Sequence, residues 1–408
     1  MDYKTAERIL RAHGQEQVLR YYGELSEEEK RSLLSQIEKI DWDTIALYSH
    51  PENLSGTGKI QPISGLKIAD IERRRAEFLS CGTEIVKSGK VGAVMLAGGQ
   101  GTRLGSDSPK GAYDIGITRP VYIFERLIRN LQGVCRECGA IVPLYIMVSE
   151  KNEAETRAFL KEHDYFGYPA DSIYFFCQEL APGVDENGKL FLESKGSLAL
   201  SPNGNGGWYS SLVRAGLDKD LQARGVEWLN VFAVDNVLQR IADPVFVGAT
   251  ALSGRNCGAK VVLKAEPHER VGVLCLEDGK PNIIEYYELT EEMANARDES
   301  GDLAFCYGVI LNYLFRTDVL KEIADRRIPV HVVKKRIPYL DEAGNYVIPE
   351  KENGYKFETL ILDMVRLAGS CLPFEVVRDR EFAPIKNKTG VDSVETARVL
   401  LEKNGVKL

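Results

Sequence analysis

From position 91 onward, apolar residues come in short continuous runs; before it they recur in three- and four-residue steps. The runs VGAVMLA (91–97), IVPLYIMVS (141–149), SIYFFCQ (172–178), WLNVFAVD (228–235), CGAKVVLKA (257–265) and VGVLCLEDG (271–279) have the length and the β-branched and aromatic content of buried strands. Helical patterns stand between them, for example VYIFERLIRNLQ (121–132) and KNEAETRAFLKEH (151–163). Strands alternating with helices predict an α/β fold with a mixed, mainly parallel sheet flanked by helices, and ligands at the carboxyl ends of its strands. AERILRAHGQEQVLRYYGEL (6–25) and SEEEKRSLLSQIEKI (26–40) predict an N-terminal helical segment, with Ser26 and Glu29 as a capping box. Three regions are therefore expected: a helical segment over 1–88, a strand-and-helix domain over 89–330 and a short mixed C-terminal segment over 331–408.

The break after the first strand carries the chemistry. Leu96 to Gly111 read LAGGQGTRLGSDSPKG, with glycines at 98, 99, 101 and 105 and cations at Arg103 and Lys110. Glycines permit tight, positive-φ backbone and a close approach of main-chain N–H groups to an anion. A strand, a glycine loop and two cations predict a polyphosphate site. No Gly-Lys-Ser/Thr completes a Walker loop. The best dinucleotide alignment, Gly99 to Gly105, is one residue too long for G-x-G-x-x-G. The net charge of −8 argues against general nucleic-acid or membrane-surface binding, so a polyphosphate requires a local cationic pocket.

The remaining composition narrows the setting. The chain of 408 residues predicts two or three domains. No apolar run has membrane-spanning length, and the eight cysteines are scattered, which points to a reduced, cytoplasmic enzyme. Cys135 and Cys138 form a CxxC with no second pair to complete a zinc site, and packing at a helix end is the expectation.

The loop resembles that of the nucleotidyltransferases, and the sequence resembles the UDP-sugar pyrophosphorylases, most closely the UDP-N-acetylhexosamine type. The N-terminal stretch GQEQVLRYYGELSEEEKRSLLSQI resembles that branch as well. The resemblance implies a Rossmann-like (GT-A-like) nucleotidyltransferase sheet, UTP and a sugar 1-phosphate as substrates, and Mg²⁺ as cofactor. In that chemistry a sugar-phosphate oxygen attacks the α-phosphorus of UTP. Positioning and cationic stabilisation then do most of the work.

The same resemblance assigns residues to roles. Leu96, Ala97, Gly98 and Gly99 would line the nucleotide, with Arg103 on its β- and γ-phosphates and Lys110 on the α-phosphate. Arg offers a planar fork and Lys a compact point charge. Asp235, in VFAVDNVLQRIADPVFVGA, would bind Mg²⁺; the alternative is a helix N-cap, a role also open to Asn236. No second metal ligand is evident. Gln178, in FFCQELAPGVD, would read uracil, and SPNGNGGWYSSL would bring Gly204 to the base and Asn205 near the sugar. Lys386, in EFAPIKN, and Lys356, in NGYKFE, would contact phosphate. Gly272, Glu285 and Tyr286 match the sugar-binding stretch.

Three positions depart from the hexosamine pattern. Val309 stands where Asn follows the glycine, and Leu360 and Leu362 stand where phenylalanines are usual. Asn312 is too far along a strand to replace the missing amide on the same face. The expected activity is thus a uridylyltransferase acting on N-acetylglucosamine 1-phosphate, with glucose or galactose 1-phosphate as the alternative. A non-catalytic UDP-sugar sensor and a dinucleotide-dependent oxidoreductase are the other classes.

Overall fold

A computed structural model describes residues 1–49, 58–326 and 328–408. The chain forms two compact units, one from 1–56, 179–207 and 328–361, the other from 57–178, 208–327 and 362–408. These boundaries differ from the expected 1–88, 89–330 and 331–408.

The larger unit is built on a ten-stranded sheet. Its strands are β1 (Ile60–Pro62), β2 (Val91–Leu96), β3 (Leu144–Val148), β4 (Ile173–Cys177), β5 (Trp228–Ala233), β6 (Cys257–Leu263), β7 (Val273–Glu277), β8 (Lys280–Ile284), β9 (Tyr307–Arg316) and β10 (Cys371–Glu375). The main path runs β1-β7-β9-β5-β2-β3-β4; β8 pairs with β7, and β6 with β9 and β10. Each of the six apolar runs is a strand. The sheet is mixed, as expected, but not mainly parallel: five of its nine strand pairings among the described residues are antiparallel. The β5-β2-β3-β4 half is parallel, and β9 runs antiparallel to β5, β6 and β7. Strands β2 and β3 are buried along their whole length, which is why they read as continuous apolar runs rather than alternating ones.

Helices cover this sheet. Helix α1 (Arg75–Lys87), expected in an N-terminal domain, belongs here and packs on α2 (Pro244–Leu252). A Cβ at Gly82 or Gly248 would collide with the other helix's backbone, so these glycines set the close approach. Periodicity reveals a helix but not its partner, hence the misplaced boundary. The segment Ile123–Cys138 is helical and ends at Gly139 in left-handed conformation. Cys135 and Cys138 are buried at that end, as packing residues.

The smaller unit gathers the helices Tyr3–Ala12 and Glu27–Glu38 with short strands from 179–207 and 328–361. Leu10, Leu33, Ile37, Val184, Leu198 and Phe357 share its core. Two distant hairpin-like insertions thus complete what the N-terminal helices alone cannot bury. The capping box forms: Ser26 Oγ accepts from Glu29 N–H, and Glu29 accepts from Ser26 N–H at 2.8 Å. No helix among the described residues is long and apolar enough to cross a membrane.

Candidate active site

Parallel strands β5, β2, β3 and β4 end on one edge, and the loops that follow them build the site. Ala97 N–H donates to Met147 O at 2.8 Å and Val234 N–H to Leu96 O at 3.2 Å, so pairing continues past the end of β2. The glycine loop then closes on itself. Gly101 N–H donates to Ser108 O at 3.0 Å and Lys110 N–H to Gly99 O at 3.2 Å. Among its four glycines only Gly105 has a positive φ, of 75°. A Cβ on Gly98 would lie 2.8 Å from Gln178 Oε1, the end of a movable side chain, and Gly99 faces open space.

One residue holding this loop was not foreseen. Asn152 is fully buried at the start of the helix after β3. Its Nδ2 donates to Ala97 O at 3.0 Å and Gly99 O at 3.4 Å, and its Oδ1 accepts from Ser149 N–H at 2.8 Å. An Asn three residues after a Ser at a strand–helix junction was the available signal.

Four predicted residues come together beside the loop. Lys110 Nζ lies 3.7 Å from Asp235 Oδ2, and both side chains are largely buried. Burial chiefly pushes the Lys110 ammonium below its ordinary range; the charges of Lys386 and Arg103 add to this, and Asp235 opposes it. Arg103 is exposed and has no ion-pair partner among the described residues. Lys386 is half-exposed and pairs with Asp392 at 3.1 Å.

Asp235 and Lys386 owe their proximity to paired backbone. Ile385 N–H donates to Asp235 O at 2.9 Å, and Asn236 bridges to Pro384. Asn236 is not a helix cap. It is buried, donates from Nδ2 to Glu381 O at 2.8 Å and accepts from Ala383 N–H at 2.9 Å. Asp243 caps α2 instead, accepting from Val245 N–H. No cluster of three His, Cys, Asp or Glu side chains suited to a metal ion occurs among the described residues. Asp235 is the hard oxygen donor that would hold a Mg²⁺ here.

The sugar-stretch residues are neighbours. A Cβ on Gly272 would meet Val309 Cγ2 at 3.3 Å and Glu285 Oε1 at 3.9 Å. Burial chiefly raises the Glu285 carboxyl, Glu288 adds to this, and Lys386 opposes it. Tyr286 is exposed and packs edge-on against Tyr287. Asn312 is fully buried, donating to Gln239 Oε1 at 3.1 Å and accepting from Asn230 Nδ2 at 2.8 Å, so it is committed to the interior.

The smaller unit carries Gly204, Asn205 and Lys356. Gly204 has φ 87°, and a Cβ there would strike the Thr359 carbonyl. Gly206 N–H donates to Thr359 O at 2.8 Å, and Asn205 Oδ1 accepts from Ile361 N–H at 3.0 Å. Lys356 lies on a short strand opposite Val333. Leu360 follows Thr359 in this unit, and Leu362 opens the next stretch of the larger one.

Known proteins share this architecture. The chain is 36% identical to UDP-N-acetylhexosamine pyrophosphorylase-like protein 1 of Mus musculus, over 95% of this chain and 82% of that one. It is also 36% identical to the UDP-N-acetylglucosamine pyrophosphorylase of Saccharomyces cerevisiae, over 96% and 88%. The crystal structure of the uridine diphosphate N-acetylglucosamine pyrophosphorylase from Trypanosoma brucei aligns with TM-score 0.83 at 28% identity, over 98% of this chain and 84% of that one. The family model for UTP--glucose-1-phosphate uridylyltransferase matches residues 28–406, and the chain belongs to this family of UDP-sugar pyrophosphorylases, which are nucleotidyltransferases.

Proposed function

We propose that the chain joins UTP to a hexose 1-phosphate, N-acetylglucosamine 1-phosphate first among them, and releases pyrophosphate. The observation that carries this reading is the gathering of Arg103 and Lys386 about Lys110, itself 3.7 Å from Asp235 at the end of β5, beside a glycine loop. Arg103, without an ion-pair partner among the described residues, and Lys110, only loosely paired with Asp235, offer positive charge where two anionic substrates must meet.

In the proposed reaction an oxygen of the sugar phosphate forms a bond to the α-phosphorus of UTP. The bond from that phosphorus to the bridging oxygen breaks, and pyrophosphate leaves with the electron pair. Lys110 neutralises the α-phosphate, Arg103 grips the β- and γ-phosphates, and Lys386 draws in the sugar phosphate. Asp235 would hold Mg²⁺, which supplies Lewis-acid neutralisation of phosphate charge. Leu96, Ala97, Gly98 and Gly99 receive the nucleotide, with Gln178 offering its amide to the uracil edge. Gly272, Glu285 and Tyr286 serve the sugar.

Val309, beside Gly272 and Glu285, favours a second reading at the level of the sugar. An apolar side chain there offers no amide to an N-acetyl group, which makes glucose or galactose 1-phosphate the alternative acceptor. The test is pyrophosphate release from UTP and Mg²⁺ with each of the three sugar 1-phosphates. Release with at least one of them is expected. UTP binding without release from any of them would instead mark a sensor.

A further inference from the structure

Lys260 sits in the middle of the apolar run CGAKVVL of β6 and is fully buried. All three protons of its ammonium are used. Nζ donates to Glu381 Oε2 at 2.6 Å, to Arg240 O at 3.0 Å and to Asp243 Oδ2 at 3.2 Å. Glu381 Oε2 also accepts from Arg240 N–H at 3.2 Å. Arg240 pairs in turn with Asp243 at 3.1 Å and with Glu137.

The acceptors lie on two segments only. One is the turn after β5, residues 234–243, which presents Asp235; the other begins at Glu381 and leads through Ala383 and Ile385 to Lys386. The two are laced together by Asn236 Nδ2 to Glu381 O, Ala383 N–H to Asn236 Oδ1 and Ile385 N–H to Asp235 O. Across from Lys260, the register of β6 with β9 shifts between Ala259 and Val261, and Leu311 takes φ 51°. The displaced part of β9 sends Asn312 to Gln239, whose Nε2 donates to Ala233 O at 2.7 Å and Asn236 O at 2.9 Å. The turn bearing Asp235 is thus braced from both β6 and β9.

Stability alone gives little reason for a lysine here. A buried ion pair is often matched or bettered by an apolar side chain of similar volume, whereas a buried network can fix one geometry. We propose that Lys260 is a positioning residue for the uridylyl-transfer site, holding the 381–386 segment against the 234–243 turn so that Lys386 and Asp235 stand together beside Lys110. The inference rests on the function proposed above.

The test is the double variant Lys260→Met/Glu381→Gln, which removes the tie and one charge of each sign, measured beside Lys260→Met and the wild type. In the double variant kcat is expected to fall at least tenfold while the KM for UTP stays within threefold, because the glycine loop and Gln178 are independent of the tie. Hydrogen exchange of the folded protein provides a readout that needs no turnover. Uptake is expected to rise in 233–240 and 381–387 and to stay at the wild-type level in 91–97. Unchanged exchange in both segments, or wild-type kcat, overturns the inference. So does a rise spread over the whole sheet, the mark of a merely structural lysine. A wild type that releases no pyrophosphate would sink the proposed function instead, and the exchange pattern would still decide the role of Lys260.

Discussion

Lys110 Nζ stands 3.7 Å from Asp235 Oδ2, a loose ion pair that joins the end of the glycine loop to the end of β5. At that separation the carboxylate neutralises the lysine without saturating it by a short hydrogen bond. A phosphate can therefore take over the ammonium while the carboxylate remains available to a metal. The pair also tunes Lys110, since Asp235 opposes the downward push from burial, Lys386 and Arg103.

The first prediction follows from that tuning. In the proposed reaction Lys110 works as a cation, so activity should be lost as pH rises through its lowered pKa. Asp235→Asn removes the group that raises this pKa, and the alkaline limb of kcat/KM should move to lower pH. The same variant should require several-fold more Mg²⁺ for half-maximal rate. Lys110→Ala should cost about 10²–10³ in kcat, the usual loss for one stabilising group at a developing charge. An alkaline limb that stays put in Asp235→Asn would separate the two residues functionally.

The second prediction concerns Asn152. Alanine there would leave the Ala97 carbonyl and the Ser149 N–H without their side-chain partner in a buried setting. A loss of about 1–3 kcal/mol in unfolding free energy is expected by denaturant titration. Since the freed carbonyls begin the glycine loop, the KM for UTP should rise about tenfold, and the KM for the sugar phosphate should change less. Equal rises in both would assign Asn152 to the fold at large.

The sequence disclosed these elements unevenly, for physical reasons. Strands buried on both faces, such as Val91–Leu96, announce themselves as apolar runs, and Ser26 with Glu29 announces a helix start. Arg103 and Lys110 were legible on the glycine loop that follows an apolar run, whereas Asp235 and Lys386 were assigned by the resemblance of VFAVDN and EFAPIKN to family segments. What brings Lys386 beside Asp235 is backbone pairing across 150 residues of chain, from Ile385 to Asp235, which no local pattern encodes. Asn152, Gln239 and Lys260 were missed because a buried polar residue reads as an exposed one until its partners are known. Lys260 did leave a trace, as the single charge within CGAKVVL. The unit boundaries failed for a related reason: insertions at 179–207 and 328–361 return to the N-terminal helices, and only shared burial shows it.

The third prediction uses Glu285. Its carboxyl is raised chiefly by burial and further by Glu288, while Lys386 holds it down. As the ionised acceptor of sugar hydroxyls it is lost when pH falls through that raised pKa. The acid limb of kcat/KM for the sugar phosphate should therefore lie above the ordinary carboxylate range. Glu288→Gln keeps an acceptor for the Glu285 N–H, now 2.7 Å from Glu288 Oε2, but removes the repelling charge. It should move the limb to lower pH, and Glu285→Gln should flatten it.

The last prediction concerns sugar choice. Val309 N–H donates to Gly272 O at 2.9 Å, which fixes its backbone against the strand that leads to Glu285. Its Cγ2 fills the space over Gly272 that a Cβ would otherwise approach. An apolar group at this point neither rewards an N-acetyl substituent with a hydrogen bond nor penalises a hydroxyl. The wild type should accordingly separate N-acetylglucosamine 1-phosphate from glucose 1-phosphate by no more than about one methyl-sized contact, roughly 10-fold in kcat/KM. Val309→Asn introduces a donor and acceptor on the same backbone, at nearly the same volume. One hydrogen bond gained with the correct sugar and left unmade with the wrong one shifts the ratio by about 10–100-fold toward the N-acetyl sugar. The measurement is the ratio of kcat/KM for the two sugars in both proteins. If Val309→Asn lowers both rates equally, the side chain packs the strand and selects nothing.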